Sequence, residues 1–391
     1  MGGLVKGIYM NLLVSISILA VKVAGGHFEQ HDETRRSSGC DGVNAYANHT
    51  ISQVTFRAIH FLMFVLRTSN IPIKYYIDFF NMEVSMNHLL SLNDLSTEEI
   101  QDLLKLAQKL KRQTKEGVQH HILKGRTLGM IFSKSSTRTR VSFEVGMYQL
   151  GGYSLFLSSN DIQLGRGETI YDTANVLSRY IDGIMIRTFK QSDVEDLARF
   201  GTIPVINGLT DEMHPCQILA DLLTVYEHKG QLEGLKLAYI GDGNNVAHSL
   251  LHGCAKTGMD VAIATPEGYE CTESYVDEAR AAAKSTGSKI LITRDPAEAI
   301  ANADVVYADT WISMGQEEQK EEKLKIFMPY QINTGLFSKA KEDAIFLHCL
   351  PAYRGYEVTE EIIDGPQSVI FDEAENRLHA QKAVLATLLG K

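Results

Sequence analysis

Short apolar runs alternate with helical periodicity along most of this chain, and that rhythm leaves few folds open. Leu128–Phe132, Tyr153–Leu157, Gly183–Arg187 and Pro204–Ile206 form one series. Leu235–Gly241, Val261–Ala264, Lys289–Thr293, Asp304–Tyr307, Ala344–His348 and Ser368–Phe371 form a second. Runs this short and apolar suit strands buried on both faces, as in parallel sheets with helices on either side. With 391 residues the chain exceeds what one ordinary core supports. The expected fold is therefore α/β: two doubly wound parallel-sheet domains joined by long inter-domain helices.

Helix signals divide the chain further. Ser96-Thr97-Glu98-Glu99 is a capping box, and Ile100, Leu103, Leu104, Ala107 and Leu110 then fall on one helical face. A long helix is predicted from Pro215 to Glu227, with proline in its first turn and Gly230 beyond its end. Asp295-Pro296 has the cap-then-proline order of another start. The tail from Ala374 to Leu389 is rich in helix formers and reads as a closing helix. The seam falls near Tyr226 to Leu232. One domain would be residues 86–226, closed by the C-terminal helix 373–391; the other would be residues 227–372. No internal repeat appears.

Residues 1–85 read differently. Leu12 to Val21 is apolar but broken by Lys22, too short to span a bilayer comfortably. Phe61–Leu66 and Ile71–Phe80 add hydrophobicity without a pattern. The expectation is an extension outside the fold, translated from upstream of a start at Met82 or Met86. The other reading is a targeting segment.

The net charge of −10 argues against nucleic acid as a partner, so an anionic ligand must be drawn in by local cations. Five cysteines, odd in number and widely spaced, include no CxxC pair. Neither a zinc site nor a disulfide framework is indicated, and a reducing, cytoplasmic compartment follows. No membrane contact is expected of the folded body.

Four stretches carry candidate chemistry. Ser136-Thr137-Arg138-Thr139-Arg140 follows an apolar strand and opens a helix, where unpaired amides and partial positive charge suit a phosphate. Three hydroxyls and two guanidiniums make it a dense donor set, although such clusters also serve as plain caps. His214-Pro215-Cys216-Gln217 puts imidazole and amide donors at the start of the seam helix. A cap histidine can be structural, yet this pair suits a carbonyl or phosphate oxygen. Asp309-Thr310-Trp311-Ile312-Ser313-Met314-Gly315 sets a carboxylate at the end of a parallel strand, where such sheets bind ligands. The charge-rich run Gln316 to Lys325 behind it reads as a solvated or mobile surface loop. His348-Cys349-Leu350-Pro351 again follows a strand. Its cysteine could be inert packing or could touch a substrate amine, and no base or oxyanion motif accompanies it as for a nucleophile.

Gly241-Asp242-Gly243-Asn244-Asn245 invites a dinucleotide reading, but Val246 replaces the third glycine and Thr265-Pro266 stands where a ribose-binding acid belongs. The amide of Asn245 suits a small polar ligand better.

Together the four stretches, in this order, closely resemble the ornithine carbamoyltransferase family, and the likeness covers residues 86 to 391. The first two motifs are shared with aspartate carbamoyltransferases; the last two are the ornithine signature. The resemblance implies that carbamoyl phosphate lies on Ser136, Thr137, Arg138 and Thr139, with Arg187, His214 and Gln217 around its phosphate and carbonyl. It implies that Gln163 reaches into a neighbouring subunit's site, so that the active unit is a homotrimer. It implies that L-ornithine is held by Asn245, Asp309, Ser313 and Met314, with Cys349, Leu350 and Arg377 closing the reacting end. Arg138, His214, Asp309 and Cys349 would be the catalytic set, with no cofactor and no metal. Rival readings are a carbamoyltransferase for putrescine, aspartate or an acylated ornithine, and a non-catalytic regulatory relative.

Overall fold

The structure, a computed structural model, describes residues 86–312, 318 and 320–390. The readings made for residues 1–85, and the candidate ligands Ser313 and Met314, lie outside the described residues.

Two parallel sheets are built in succession. The first contains β1 (Thr127–Phe132), β2 (Tyr153–Ser158), β3 (Gly183–Arg187) and β4 (Val205–Leu209), in the order β2-β1-β3-β4. The second contains β5 (Lys236–Ile240), β6 (Asp260–Ala264), β7 (Ile290–Thr293), β8 (Val305–Ala308) and β9 (Ile345–His348), in the order β7-β6-β5-β8-β9. β3, β8 and β9 are buried at every residue, as strands covered on both faces must be. The edge strand β2 is not: Tyr153 and Phe156 remain exposed.

The helices follow the capping signals. α1 (Thr97–Lys115) starts on the Ser96 capping box: Ser96 Oγ accepts from the Glu99 amide at 3.1 Å, and Glu99 accepts from the Ser96 amide at 2.9 Å. Its five predicted apolar positions are all buried. α2 (Thr137–Gln149), α3 (Ile170–Leu177) and α4 (Gln191–Phe200) complete the first lobe. α5 (Pro215–Lys229) leads to the second, ending on Gly230 in the left-handed region (φ 76°) that favours glycine. α6 (Asn245–Thr257), α7 (Glu273–Thr286), α8 (Pro296–Ile300) and α9 (Lys320–Phe327) belong to that lobe. α10 (Ile370–Leu389) then returns to pack on α5, α1 and α2 while its start touches β9. Lys111 fastens these helices, donating to Glu227 of α5 and Asn376 of α10, each at 2.8 Å.

Two expectations are corrected here. Ser368–Phe371 is not a strand: Ser368 makes an isolated bridge to Phe346, and α10 begins at Ile370, ahead of the expected Ala374. A short apolar run does not distinguish strand from helix start, and here Ile370 enters the core while Phe371 faces solvent. The charged run after Trp311 is not all solvated surface either. Its latter part forms α9, with Lys323 and Phe327 buried. Lys323 Nζ donates to Asp242 at 2.7 Å and to the Trp311 carbonyl at 3.1 Å. A buried ammonium is tolerable only with such partners.

Strand order decides where the motifs meet. In the first sheet the order reverses between β1 and β3, so Ser136–Arg140 and Arg187 emerge on either side of one crevice. In the second it reverses between β5 and β8, from which Gly241–Asn245 and Asp309 emerge. Crevices at such reversals, beyond the carboxyl ends of the strands, are where open α/β sheets hold ligands.

Candidate active site

In the first lobe the helix start of α2 has the expected form. Ser136, in extended conformation, caps the helix by accepting from the Thr139 amide at 3.1 Å. Among the described residues the amides of Thr137 and Arg138 find no protein acceptor, as is usual in a helix first turn. Thr137 is exposed, Thr139 is buried, and Arg138 reaches across the seam to donate to the Leu350 carbonyl.

Three guanidiniums converge behind this turn. Arg187, at the end of β3, is 6% exposed, and among the described residues its side chain makes no hydrogen bond. Burial first, and then Arg377 and Arg138, draw its pKa down to about 10. Arg377, from α10, donates to Gln217 Oε1 at 2.6 Å and to Thr139 Oγ1 at 3.3 Å. Burial is also the main cause of its lowered pKa. His214 stands at the α5 start with no side-chain cap bond, and among the described residues its buried Nδ1 has no partner. Burial, Arg377, Arg187 and Arg138 lower its pKa well below the ordinary value, so it is a neutral imidazole. Guanidiniums gathered around a neutral imidazole make this end of the crevice suited to an anion.

Gln217 is less free than the sequence suggests. Its Nε2 donates to Asp221 at 2.8 Å and to Glu373 at 2.9 Å, while its Oε1 is taken by Arg377. Gln163 lies elsewhere, exposed in the short 3-10 turn after β2.

The second lobe contributes carboxylate and thiol. Asp309 is buried and accepts from Cys349 Sγ at 3.0 Å, from the Thr310 amide at 2.7 Å and from Asn244 Nδ2 at 2.7 Å. Cys349 stays a thiol: burial, then Asp309 and Glu373, raise its pKa well above the ordinary value. That excludes a ready thiolate nucleophile. Leu350 takes a left-handed conformation (φ 57°), uncommon for a leucine, which turns its carbonyl toward Arg138. Asn245 donates to the Thr210 carbonyl of the other lobe at 2.5 Å.

Asp309, His348 and Cys349 bring donor atoms within 4.8 Å of one another, a spacing compatible with a cation. Their donors are committed, however. His348 Nδ1 accepts from the Leu350 amide at 2.9 Å, its Nε2 faces Glu357 at 3.1 Å, and the thiol faces Asp309. The glycine turn after β5 is likewise filled by the chain itself. A Cβ on Gly243 would stand 2.3 Å from the Cys271 amide nitrogen, so that glycine admits residues 269–271 rather than a pyrophosphate.

Asn244, Asp221, Tyr307 and Glu373 went unnoticed in the sequence. Asn244 was overlooked beside Asn245, although its Oδ1 also caps α6. Glu373 reads as an ordinary acid of a helix first turn, and its position four residues before Arg377 was the available signal.

A two-part family pattern fits this geometry: "Aspartate/ornithine carbamoyltransferase, carbamoyl-P binding domain" matches residues 87–227, and its "Asp/Orn binding domain" matches residues 233–388. The chain belongs to the aspartate/ornithine carbamoyltransferase family. Among members of that family, it is 62% identical over 300 residues to the ornithine carbamoyltransferase of Caldicellulosiruptor saccharolyticus, covering 77% of this chain and 97% of that one. It is also 62% identical over 301 residues to that of Carboxydothermus hydrogenoformans, with the same shares covered. The solved ornithine carbamoyltransferase of Pyrococcus furiosus superposes with a TM-score of 0.76 at 55% identity, covering 78% of this chain and 97% of that one. The carbamoyltransferase fold, two parallel-sheet α/β lobes, is thus shared throughout.

Proposed function

We propose that this carbamoyltransferase moves the carbamoyl group of carbamoyl phosphate to the δ-amine of L-ornithine, giving L-citrulline and phosphate. One observation carries the reading: Arg138, Arg187 and Arg377 surround the unpaired His214 on one side of a seam, with Asp309 and Cys349 on the other. A dianionic donor suits the first group and an ammonium-bearing acceptor the second.

In this reading residues 86–226, closed by helix 373–391, hold carbamoyl phosphate, and residues 227–372 hold ornithine. Ser136, Thr137, Arg138 and Thr139 bind the phosphate with Arg187. Neutral His214, Gln217, Arg377 and the Leu350 carbonyl orient the carbamoyl group, whose oxyanion the cations stabilise. Asn245, Asp309, Ser313 and Met314 hold ornithine, and Cys349 packs beside the attacking amine. An alkyl amine has a pKa of ~10, so its neutral nucleophilic form costs roughly 4–5 kcal/mol at neutral pH. Holding both reactants in register removes on the order of 7–11 kcal/mol from the barrier. Each well-placed oxyanion donor contributes ~3 kcal/mol more.

The assembly in this reading is a homotrimer, in which Gln163 serves the neighbouring site. The apolar side chains left exposed around the β2 edge, Val141, Tyr148, Tyr153 and Phe156, support such an interface. Citrulline production belongs to arginine metabolism, and free Cys216, Cys254, Cys271 and Cys349 suit a reducing cytoplasmic setting. No helix of the described residues is long and apolar enough to cross a membrane.

The test is an assay of the purified protein with carbamoyl phosphate and, in turn, ornithine, putrescine, aspartate and acetylornithine. Citrulline from ornithine is expected to dominate. Preference for another amine, or no carbamoylation of any, would refute the proposal.

A further inference from the structure

Glu373, buried in the first turn of α10, accepts hydrogen bonds from three other elements. Its Oε1 takes Gln217 Nε2 of α5 at 2.9 Å and the Tyr307 hydroxyl of β8 at 3.2 Å. Its Oε2 takes the His348 amide, where β9 turns into the Cys349-Leu350 segment, at 2.8 Å. Gln217 passes the restraint on to Arg377 at 2.6 Å. One carboxyl group thus ties the seam helix to two strands of the second lobe at the point where both enter the site. We propose that Glu373 is a positioning residue of the transfer reaction, holding Gln217, Arg377 and the His348–Leu350 turn in mutual register. The inference rests on the carbamoyl-transfer reading above.

Several groups face this carboxyl. Asp221 approaches from α5, Tyr307 from β8, Cys349 from the segment after β9, and Arg377 stands one turn along α10 near Asp221. Burial, followed by mutual repulsion, raises the pKa of Glu373 well above the ordinary carboxylate value. Burial raises that of Asp221 to about 7. The pair therefore shares a proton at neutral pH and loses it as pH rises, leaving two buried anions around Gln217.

The experiment compares Glu373→Gln with Glu373→Met, which matches the volume but makes none of these bonds. Citrulline formation, KM for each substrate and the melting temperature are measured. Glu373→Gln is expected to stay within roughly tenfold of the parent, because its single amide oxygen can still accept from Gln217 and Tyr307, although its NH2 cannot accept from the His348 amide. Glu373→Met is expected to lose roughly 100-fold in kcat, the cost of a displacement of about 1 Å at a reacting centre, with KM for ornithine moved far less. A packing role alone would make the two variants equally active, and that result overturns the proposal. If Glu373→Met does not fold, the decision passes to the pH profile of Glu373→Gln. Loss of the alkaline limb set by the shared proton supports the proposal, and a profile superposable on the parent's overturns it. An unaltered protein that forms no citrulline would sink the functional reading and this inference with it.

Discussion

Arg187→Met should stabilise the empty protein while abolishing its response to phosphate. Arg187 is buried, faces Arg138 and Arg377, and among the described residues has no hydrogen-bond partner for its Nε. Its pKa falls from an ordinary 12.5 to about 10. For a base with a lowered folded pKa, the penalty on the fold is complete at every pH below about 10 and vanishes only above the unfolded value. At about 1.4 kcal/mol per tenfold, the drop corresponds to roughly 3 kcal/mol at neutral pH. Methionine removes the charge and keeps much of the apolar stem, so melting should rise by roughly 5 °C without ligand. The unaltered protein should gain ~2.7 kcal/mol from phosphate or carbamoyl phosphate at a hundred times Kd, whereas the variant should gain nothing. Differential scanning calorimetry with and without each ligand reads both effects. A lowered melting temperature in the empty variant, or an undiminished shift with phosphate, would refute the view that Arg187 is a charge held for its ligand.

Asn244→Ala should raise KM for ornithine, because Asp309 loses its 2.7 Å partner, and should cost ~1 kcal/mol of stability through the lost cap of α6. Steady-state kinetics beside thermal melts check this, and an unchanged KM would count against Asp309 as the amine's partner. His379 is 2% exposed, and burial, followed by Lys382, lowers its pKa to about 4. Its stabilising effect is therefore complete above pH 6.5 and is lost as pH falls toward 4, amounting to about 2 kcal/mol by pH 5. Urea titrations at pH 7 and pH 5 should show that loss and should show it shrink in His379→Gln; equal loss in both proteins would place the acid sensitivity elsewhere.

Some site residues were legible in the sequence and others were not. Ser136–Arg140, Asp309 and the His348–Pro351 run announce themselves because polar groups follow closely on apolar strands, and His214 because it precedes a helix-starting proline. Asp221 and Glu373 do not, because an acid on a helix has the same appearance whether it faces water or a buried glutamine. Lys323 shows the reverse error: a lysine in a charged run reads as solvated until Asp242 is brought against it from another strand.

By itself the sequence determined two parallel sheets, the helix starts at Ser96, His214 and Asp295, and a donor-rich helix start at Ser136. Each of those depends on neighbours within a few residues, through alternation, capping and backbone restriction. Tertiary structure alone decided that strand order reverses between β1 and β3 and between β5 and β8, so that Arg187 comes near Arg138 and Asn244 meets Asp309. It also decided that α10 carries Arg377 back across 160 residues to Gln217. Such encounters are set by which faces must be buried together, and no local pattern encodes them.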